Sequence, residues 1–149
     1  MLLKDMYTTD VVCCLPATHA MAAAGLMRQH HVGDLVVVDS LEEGRVPLGV
    51  VTDRDLVIEV LAKGLDPCTT TVGSLLSKPV VIANESEDTS QTIERMRIHG
   101  IRRVPVVNHH GAVVGIVTLN DLLNSVLGEA HGLLEIMAKA QKQEQHARR

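Results

Sequence analysis

An internal repeat is the feature that most constrains how this chain can fold. The segments GVVTDRDL (residues 49–56) and GIVTLNDL (residues 115–122) lie 66 positions apart and share glycine, two apolar residues, threonine, two free positions, aspartate and leucine. A shift of 69 positions aligns the residues further upstream, and the change of offset is confined to three extra residues around positions 42–45. Such extended self-similarity indicates two copies of one structural unit.

Within each copy the residue pattern predicts the order strand, helix, strand, strand, helix. Apolar or valine-rich runs predict strands over residues 11–14, 35–38 and 46–52, and in the second copy over 80–83, 104–107 and 113–117. Helices are predicted over 18–31, 54–62 and 89–99, followed by a last one that ends at 127. Thr18 and Asp53 are the expected caps of the first two helices.

The two copies are expected to share one core. A three-stranded sheet with two helices on one face cannot bury its apolar surface alone, so the copies should pack sheet to sheet about a pseudo-twofold axis. This predicts an α+β fold of two pseudo-symmetric β-α-β-β-α repeats, with repeat 1 over residues 1–67 and repeat 2 over 68–128. Residues 129–149 are expected to form a C-terminal amphipathic helix that contacts a partner, or a frayed tail.

Composition restricts the class of protein. The chain is 46% hydrophobic, has no apolar run of eighteen residues, and carries Lys4 and Asp5 where a signal peptide needs an apolar core, so we expect a soluble cytoplasmic protein without a membrane partner. A net charge of −4, with one tyrosine and no tryptophan or phenylalanine, argues against a nucleic-acid partner. Cys13, Cys14 and Cys68 make a poor disulfide framework and are expected to stay reduced.

Catalytic and metal-binding patterns are missing from the sequence. It has no Gly-x-Ser-x-Gly elbow, no Walker lysine loop and no glycine-rich dinucleotide fingerprint, so no enzyme activity and no catalytic residue is predicted. The eight histidines have no spacing typical of structural zinc, and no metal site is predicted.

The repeated motif and its structural context resemble a tandem pair of cystathionine-β-synthase (CBS) domains, also called a Bateman module. The resemblance covers roughly residues 1–128 and includes both strand-Thr-x-x-Asp-Leu segments and the run IRRVPVV at 101–107. It is similar to stand-alone bacterial CBS-pair signalling proteins. The family implies a regulatory module that binds AMP, ADP, ATP, NAD or S-adenosylmethionine, commonly as a homodimer, and signals to a protein partner that the sequence does not identify.

The resemblance also implies two clefts built from residues of both repeats, in which the motif aspartate accepts hydrogen bonds from ribose and the threonine faces phosphate. Site B would combine Thr118, Asp121, Arg102 and Arg103 with apolar contacts from Val12 and Val32. Site A would combine Thr52 and Asp55 with Val81 and Ile101.

The two clefts are expected to differ in charge. Gly33 and Asp34 of repeat 1 occupy the positions of Arg102 and Arg103, and Asp34 would repel a phosphate. Site B is therefore the expected phosphate-bearing site. The alternatives are a scaffold module that binds no nucleotide and, with less support, a metal- or redox-responsive protein.

Overall fold

The computed structural model describes residues 1–76 and 79–148. These residues form two three-stranded sheets, in each of which the first strand is parallel and the third antiparallel to the central strand. The strands are β1 (Cys13–Cys14), β2 (Asp34–Val38), β3 (Pro47–Thr52), β4 (Ala83–Asn84), β5 (Arg103–Val107) and β6 (Val113–Thr118). The predicted α+β fold of two β-α-β-β-α units is confirmed.

The α-helices of the described residues are α1 (Ala20–His30), α2 (Asp53–Leu56), α3 (Val72–Leu75), α4 (Thr89–His99) and α5 (Leu119–Ala147). A 3-10 turn spans Leu3–Asp5, and α2 continues as a π-helical segment over Val57–Leu61. Helix α4 has the predicted bounds. The sequence pattern missed α3 and the 3-10 turn, because both are too short to show a helical period.

Both predicted helix caps were wrong. Thr52 rather than Asp53 is the N-cap of α2, because Thr52 keeps the extended backbone of β3 while Asp53 is already helical. His19 rather than Thr18 is the N-cap of α1, and its side chain makes no capping hydrogen bond. The N–H groups of Ala20 and Met21 donate to carbonyls of residues 70 and 67 instead. Tertiary contacts therefore replace a local cap at this helix.

The outer strands β1 and β4 are shorter than the sequence runs that predicted them. Only Cys13 and Cys14 pair with the central strand β2, and only Ala83 and Asn84 pair with β5. Strand β4 consequently lies at the end of the predicted range 80–83 and extends one residue beyond it.

The two sheets pack face to face, as predicted. Val36 and Val38 of β2 are buried against Val113 and Ile116 of β6. Alternate residues of the same strands point to the opposite face, where they meet the helices. Leu35 and Val37 pack with α1 and α2, and Val104 and Val106 pack with α4 and α5 in the same way.

The repeats exchange their first segments. Leu3 is fully buried in the core of the second unit, and Val72, its counterpart 69 positions later, is fully buried in the core of the first. Equivalent hydrogen bonds hold both crossings: the Ala20 N–H donates to the Thr70 carbonyl at 2.8 Å, and the Thr89 N–H donates to the Met1 carbonyl at 3.0 Å. Each half of the molecule is completed by chain from the other half.

Helix α5 does not stop at the end of the second unit. It runs for 29 residues to Ala147, through Gly128 and Gly132, so the C-terminal segment is a helix rather than a frayed tail. Its outer part, from 129 onward, is exposed except for a half-buried Gly132.

Candidate functional site

The motif threonine and aspartate form a capping box in each repeat. The Asp121 N–H donates to Thr118 Oγ1 at 3.2 Å, and the Thr118 N–H donates to Asp121 Oδ2 at 2.9 Å. Thr52 and Asp55 make the same pair of bonds at 3.1 and 2.9 Å. In each box the aspartate Oδ1 takes no part, so one carboxylate oxygen is held in place by the helix start while the other is left for a second donor.

The hairpin of β5 and β6 brings both arginines to this turn. Arg103 pairs with Thr118 across the two strands, and the Leu119 N–H donates to the Arg102 carbonyl at 2.7 Å. The structure therefore brings together Thr118, Asp121, Arg102 and Arg103, which the sequence placed in site B. The first repeat has the same geometry, with Asp34 opposite Thr52 and the Asp53 N–H donating to the Gly33 carbonyl at 3.0 Å.

Arg103 and Asp34 are joined across the repeats, a contact that the sequence analysis did not anticipate. Arg103 Nη1 lies 3.2 Å from Asp34 Oδ2, and both side chains are largely buried. The two residues occupy the same position in their repeats, and equivalent residues close to a pseudo-twofold axis face each other. Opposite charges at equivalent positions were the signal that would have revealed this pair.

Burial dominates the ionisation of Asp34. Desolvation raises the pKa of its carboxyl group, the Arg103 guanidinium opposes this shift, and the charge of Asp53 adds to it. Asp53 also lies close to Gly33, because a Cβ atom at position 33 would stand 3.2 Å from Asp53 Oδ2. The cleft side of repeat 1 is thus acidic, as expected from Asp34, whereas that of repeat 2 carries two arginines.

The apolar residues predicted for the two sites are distributed over both cores. Val12 and Val32 are half-buried and pack on the core of the first unit, and the Val12 carbonyl accepts from the Val36 N–H at 3.0 Å. Ile101 packs on the core of the second unit, and Val81 is half-buried. The ion pair with Asp34, two residues after Val32, connects the arginine side of site B to this part of the first repeat.

The thiols do not have the environment of reactive cysteines. Burial raises the pKa of Cys14 to about 11, and it also raises the pKa of Cys13, so the nucleophilic thiolate is disfavoured at both positions. Among residues 1–76 and 79–148, no three His, Cys, Asp or Glu side chains are grouped closely enough to hold a metal ion. In the same ranges, no helix has the length and apolar character needed to cross a membrane.

The fold and the paired turns define a protein built from a duplicated β-α-β-β-α domain, with a Thr–Asp capping box after the third strand of each copy. The chain belongs to the CBS domain family, whose model matches residues 3–62 and 72–128, and it contains a tandem pair of these domains.

Several known proteins are similar to this chain along most of their length. The CBS domain-containing protein YhcV of Bacillus subtilis is 38% identical over 130 residues, which cover 87% of this chain and 89% of that protein. The crystal structure of Hypoxic Response Protein I with two coordinated zinc ions is 34% identical, with a TM-score of 0.71, and the match covers 83% of this chain and 98% of that one.

A CBS domain pair of the protein MJ0100, solved in complex with 5'-methylthioadenosine and S-adenosyl-L-methionine, is 28% identical with a TM-score of 0.74; the match covers 87% of this chain and 98% of that one. An uncharacterised protein of Methanopyrus kandleri is 36% identical over 114 residues, and the match spans 57% of its length and 76% of this chain.

Proposed function

We propose that this protein is a regulatory module that binds adenosine-containing ligands at the turns of its two repeats. The observation that carries the proposal is the grouping of Asp121, Thr118 and two arginines at the start of α5. The MJ0100 domain pair, which has the same fold, was solved with two adenosyl ligands.

Each of these groups has a chemical role that fits such a ligand. Asp121 Oδ1 is positioned to accept hydrogen bonds from ribose hydroxyls, since Oδ2 is already used by the capping box. The start of a long helix favours negative charge. Arg102 and Arg103 provide planar guanidinium groups that bind phosphate oxygens bidentately. Val12 and Val32 would offer apolar contact to the adenine.

We propose that the two sites differ in ligand charge. Site B carries both arginines and suits AMP, ADP, ATP or NAD. Site A, formed by Thr52 and Asp55 with Val81 and Ile101, lies beside Asp34 and Asp53 and suits a ligand without phosphate, such as S-adenosylmethionine with its cationic sulfonium. A phosphate at site B would compete with Asp34 for Arg103, so ligand binding would alter the contact between the repeats.

Regulation would follow from this competition. Loss of the Arg103–Asp34 pair changes the relative stability of two arrangements of the repeats, and a ligand shifts their populations only by its difference in affinity for them. We propose that a homodimer and a protein partner respond to the change, and that no substrate is turned over.

Isothermal titration with AMP, ADP, ATP, NAD and S-adenosylmethionine tests the proposal. Asp121→Asn is expected to weaken binding of every ligand held at site B, whereas Arg102→Ala is expected to weaken ATP binding by about tenfold or more, the value of a charge-assisted hydrogen bond. S-adenosylmethionine has no phosphate, so Arg102→Ala should leave its affinity unchanged. Arg28→Ala, an exposed arginine in the last turn of α1, is the control.

A thermal-shift screen gives an independent measurement. A ligand at one hundred times its dissociation constant stabilises the folded state by about 2.7 kcal/mol. Absence of a shift with all five ligands would favour the scaffold function. Because the chain has one tyrosine and no tryptophan, any adenine compound that copurifies would dominate the absorbance near 260 nm, and mass spectrometry would identify it.

A further inference from the structure

The outer part of α5 carries an apolar surface that nothing in the described chain covers. We define the α5 stripe as the residues that recur every three or four positions on one side of this helix, namely Leu123, Val126, Leu127, Ala130, Leu133, Leu134 and Met137. Leu127 is 64% exposed, and Leu133, Leu134 and Met137 are 62 to 65% exposed. An unbroken apolar stripe on a helix that extends beyond the folded unit is typical of a surface that packs against another helix.

The stripe is continuous with a groove on the second unit. An apolar groove of about 380 Å³ lies between α4 and α5, lined by side chains that include Ile93, Met96, Ile101, Leu119, Leu123 and Val126. Leu123 and Val126 belong to both the groove and the stripe. One surface therefore runs from the body of the molecule along the extended helix.

Charges are separated along the same helix. From residue 129 to 137 the charged residues are Glu129 and Glu135, with no lysine or arginine. From 138 to 148 the helix and its cap carry Lys139, Lys142 and Arg148 against the single Glu144. A parallel pair of identical helices would place like charges together, whereas an antiparallel pair places the acidic half of each copy beside the basic half of the other.

We infer that the α5 extension, residues 129–147, pairs with the extension of a second copy of this chain as an antiparallel helix pair. This inference gives the proposed homodimer a specific contact, and it does not depend on ligand binding. The stripe supplies the buried seam, and the charge distribution selects the direction. Alignment of the acidic and basic halves puts the twofold axis near Ala138.

Cross-linking distinguishes the two directions. With 1.5 Å of rise per residue, an antiparallel pair centred near Ala138 separates the two copies of position 130 by about 24 Å along the axis, and the two copies of position 141 by about 9 Å. Gln141→Cys is therefore expected to cross-link with a short bis-maleimide, and Ala130→Cys is not. Both variants are made with Cys68→Ser, because Cys68 is exposed while Cys14 is buried and Cys13 half-buried. Cys68→Ser alone is the blank.

A matched pair of substitutions tests the stripe itself. Leu134→Glu in the Gln141→Cys variant is expected to reduce cross-linking at least fivefold. Gly132→Glu adds the same charge in the same half of the helix but on the opposite side, where a Cβ atom meets nothing within 4 Å, and is expected to leave the yield unchanged.

Charge reversal tests the direction in the same variant. Glu129→Lys with Glu135→Lys makes the whole extension basic and should weaken self-association in sedimentation equilibrium roughly fivefold at low salt. Adding Lys139→Glu and Lys142→Glu reverses both halves and should restore it.

The outcomes separate this inference from the homodimer. A monomeric wild-type chain overturns both. A dimer in which positions 130 and 141 cross-link equally, or in which neither does, overturns the antiparallel pair and leaves the dimer standing. Equal loss with Leu134→Glu and Gly132→Glu also overturns the pair, since the stripe would then have no part in it.

Discussion

Arg103 and Asp34 hold the same position in the two repeats and form an ion pair across them, with Nη1 3.2 Å from Oδ2. The phosphate-binding group proposed for one cleft is therefore neutralised by the residue that makes the other cleft acidic. An incoming phosphate must replace a carboxylate that burial already destabilises in its charged form.

The raised pKa of Asp34 predicts how stability depends on pH. Between the ordinary aspartate pKa of about 4 and the higher folded value, the folded protein binds more protons than the unfolded chain, so the free energy of unfolding falls as pH rises through this interval. Asp34→Asn removes the titrating group. We expect the difference in stability, wild type minus variant, to decrease with rising pH in urea titrations.

Asp10→Asn is the control for this measurement, because Asp10 is exposed. A wild-type minus Asp34→Asn difference that stays constant with pH, or that increases, would contradict the assigned direction. Arg103→Met removes the cation that lowers the pKa of Asp34, and the carboxyl carbon signal of Asp34 should then titrate at a higher pH.

Gly115 is predicted to be less tolerant of alanine than its counterpart Gly49. A Cβ atom at Gly115 would lie 2.2 Å from Tyr7 Cδ2 and 2.6 Å from the Thr8 carbonyl oxygen, so ring and backbone must both move. At Gly49 the nearest atoms belong to the flexible end of Leu76. We expect Gly115→Ala to cost about 1–3 kcal/mol in urea denaturation, and Gly49→Ala to cost less. Equal costs would show that the N-terminal segment gives way easily.

Leu3 is predicted to be part of the core despite its place at the chain end. Leu3→Ala should reduce the free energy of unfolding by about 2–5 kcal/mol, the usual effect of emptying a fully buried leucine site. Leu2→Ala is the matched control, since Leu2 is 39% exposed. A change at Leu3 no larger than that at Leu2 would mean that the crossing segment contributes little to the second unit.

His31 is predicted to be strained relative to its counterpart Gly100. Both residues end a helix in the left-handed conformation, with φ of 55° at His31 and 63° at Gly100. Glycine adopts this conformation without a steric penalty. We expect His31→Gly to raise the free energy of unfolding by roughly 1 kcal/mol, and Gly100→Ala to lower it by a similar amount. Thermal unfolding of both variants against wild type checks the opposite signs.

Residues close in sequence carried most of what could be predicted about this protein. The repeat, the valine-rich hairpins and the Thr-x-x-Asp turns depend on local patterns, and equivalent segments of the two copies adopt equivalent registers, with Asp34 opposite Thr52 and Arg103 opposite Thr118. The apolar alternation of β2 was sufficient to predict that two sheets share a core, because one side of each sheet has no helix to cover it.

Tertiary structure decided the contacts between distant segments. The burial of Leu3 in the opposite unit and the start of α1 on the carbonyl of Thr70 involve partners more than 40 residues apart, which no periodicity encodes. The pair of Arg103 with Asp34 arises because the pseudo-twofold axis brings equal positions together, and the sequence shows their charges but not their distance. Local propensity sets the elements, whereas the cost of burying charge and apolar surface selects which distant groups meet.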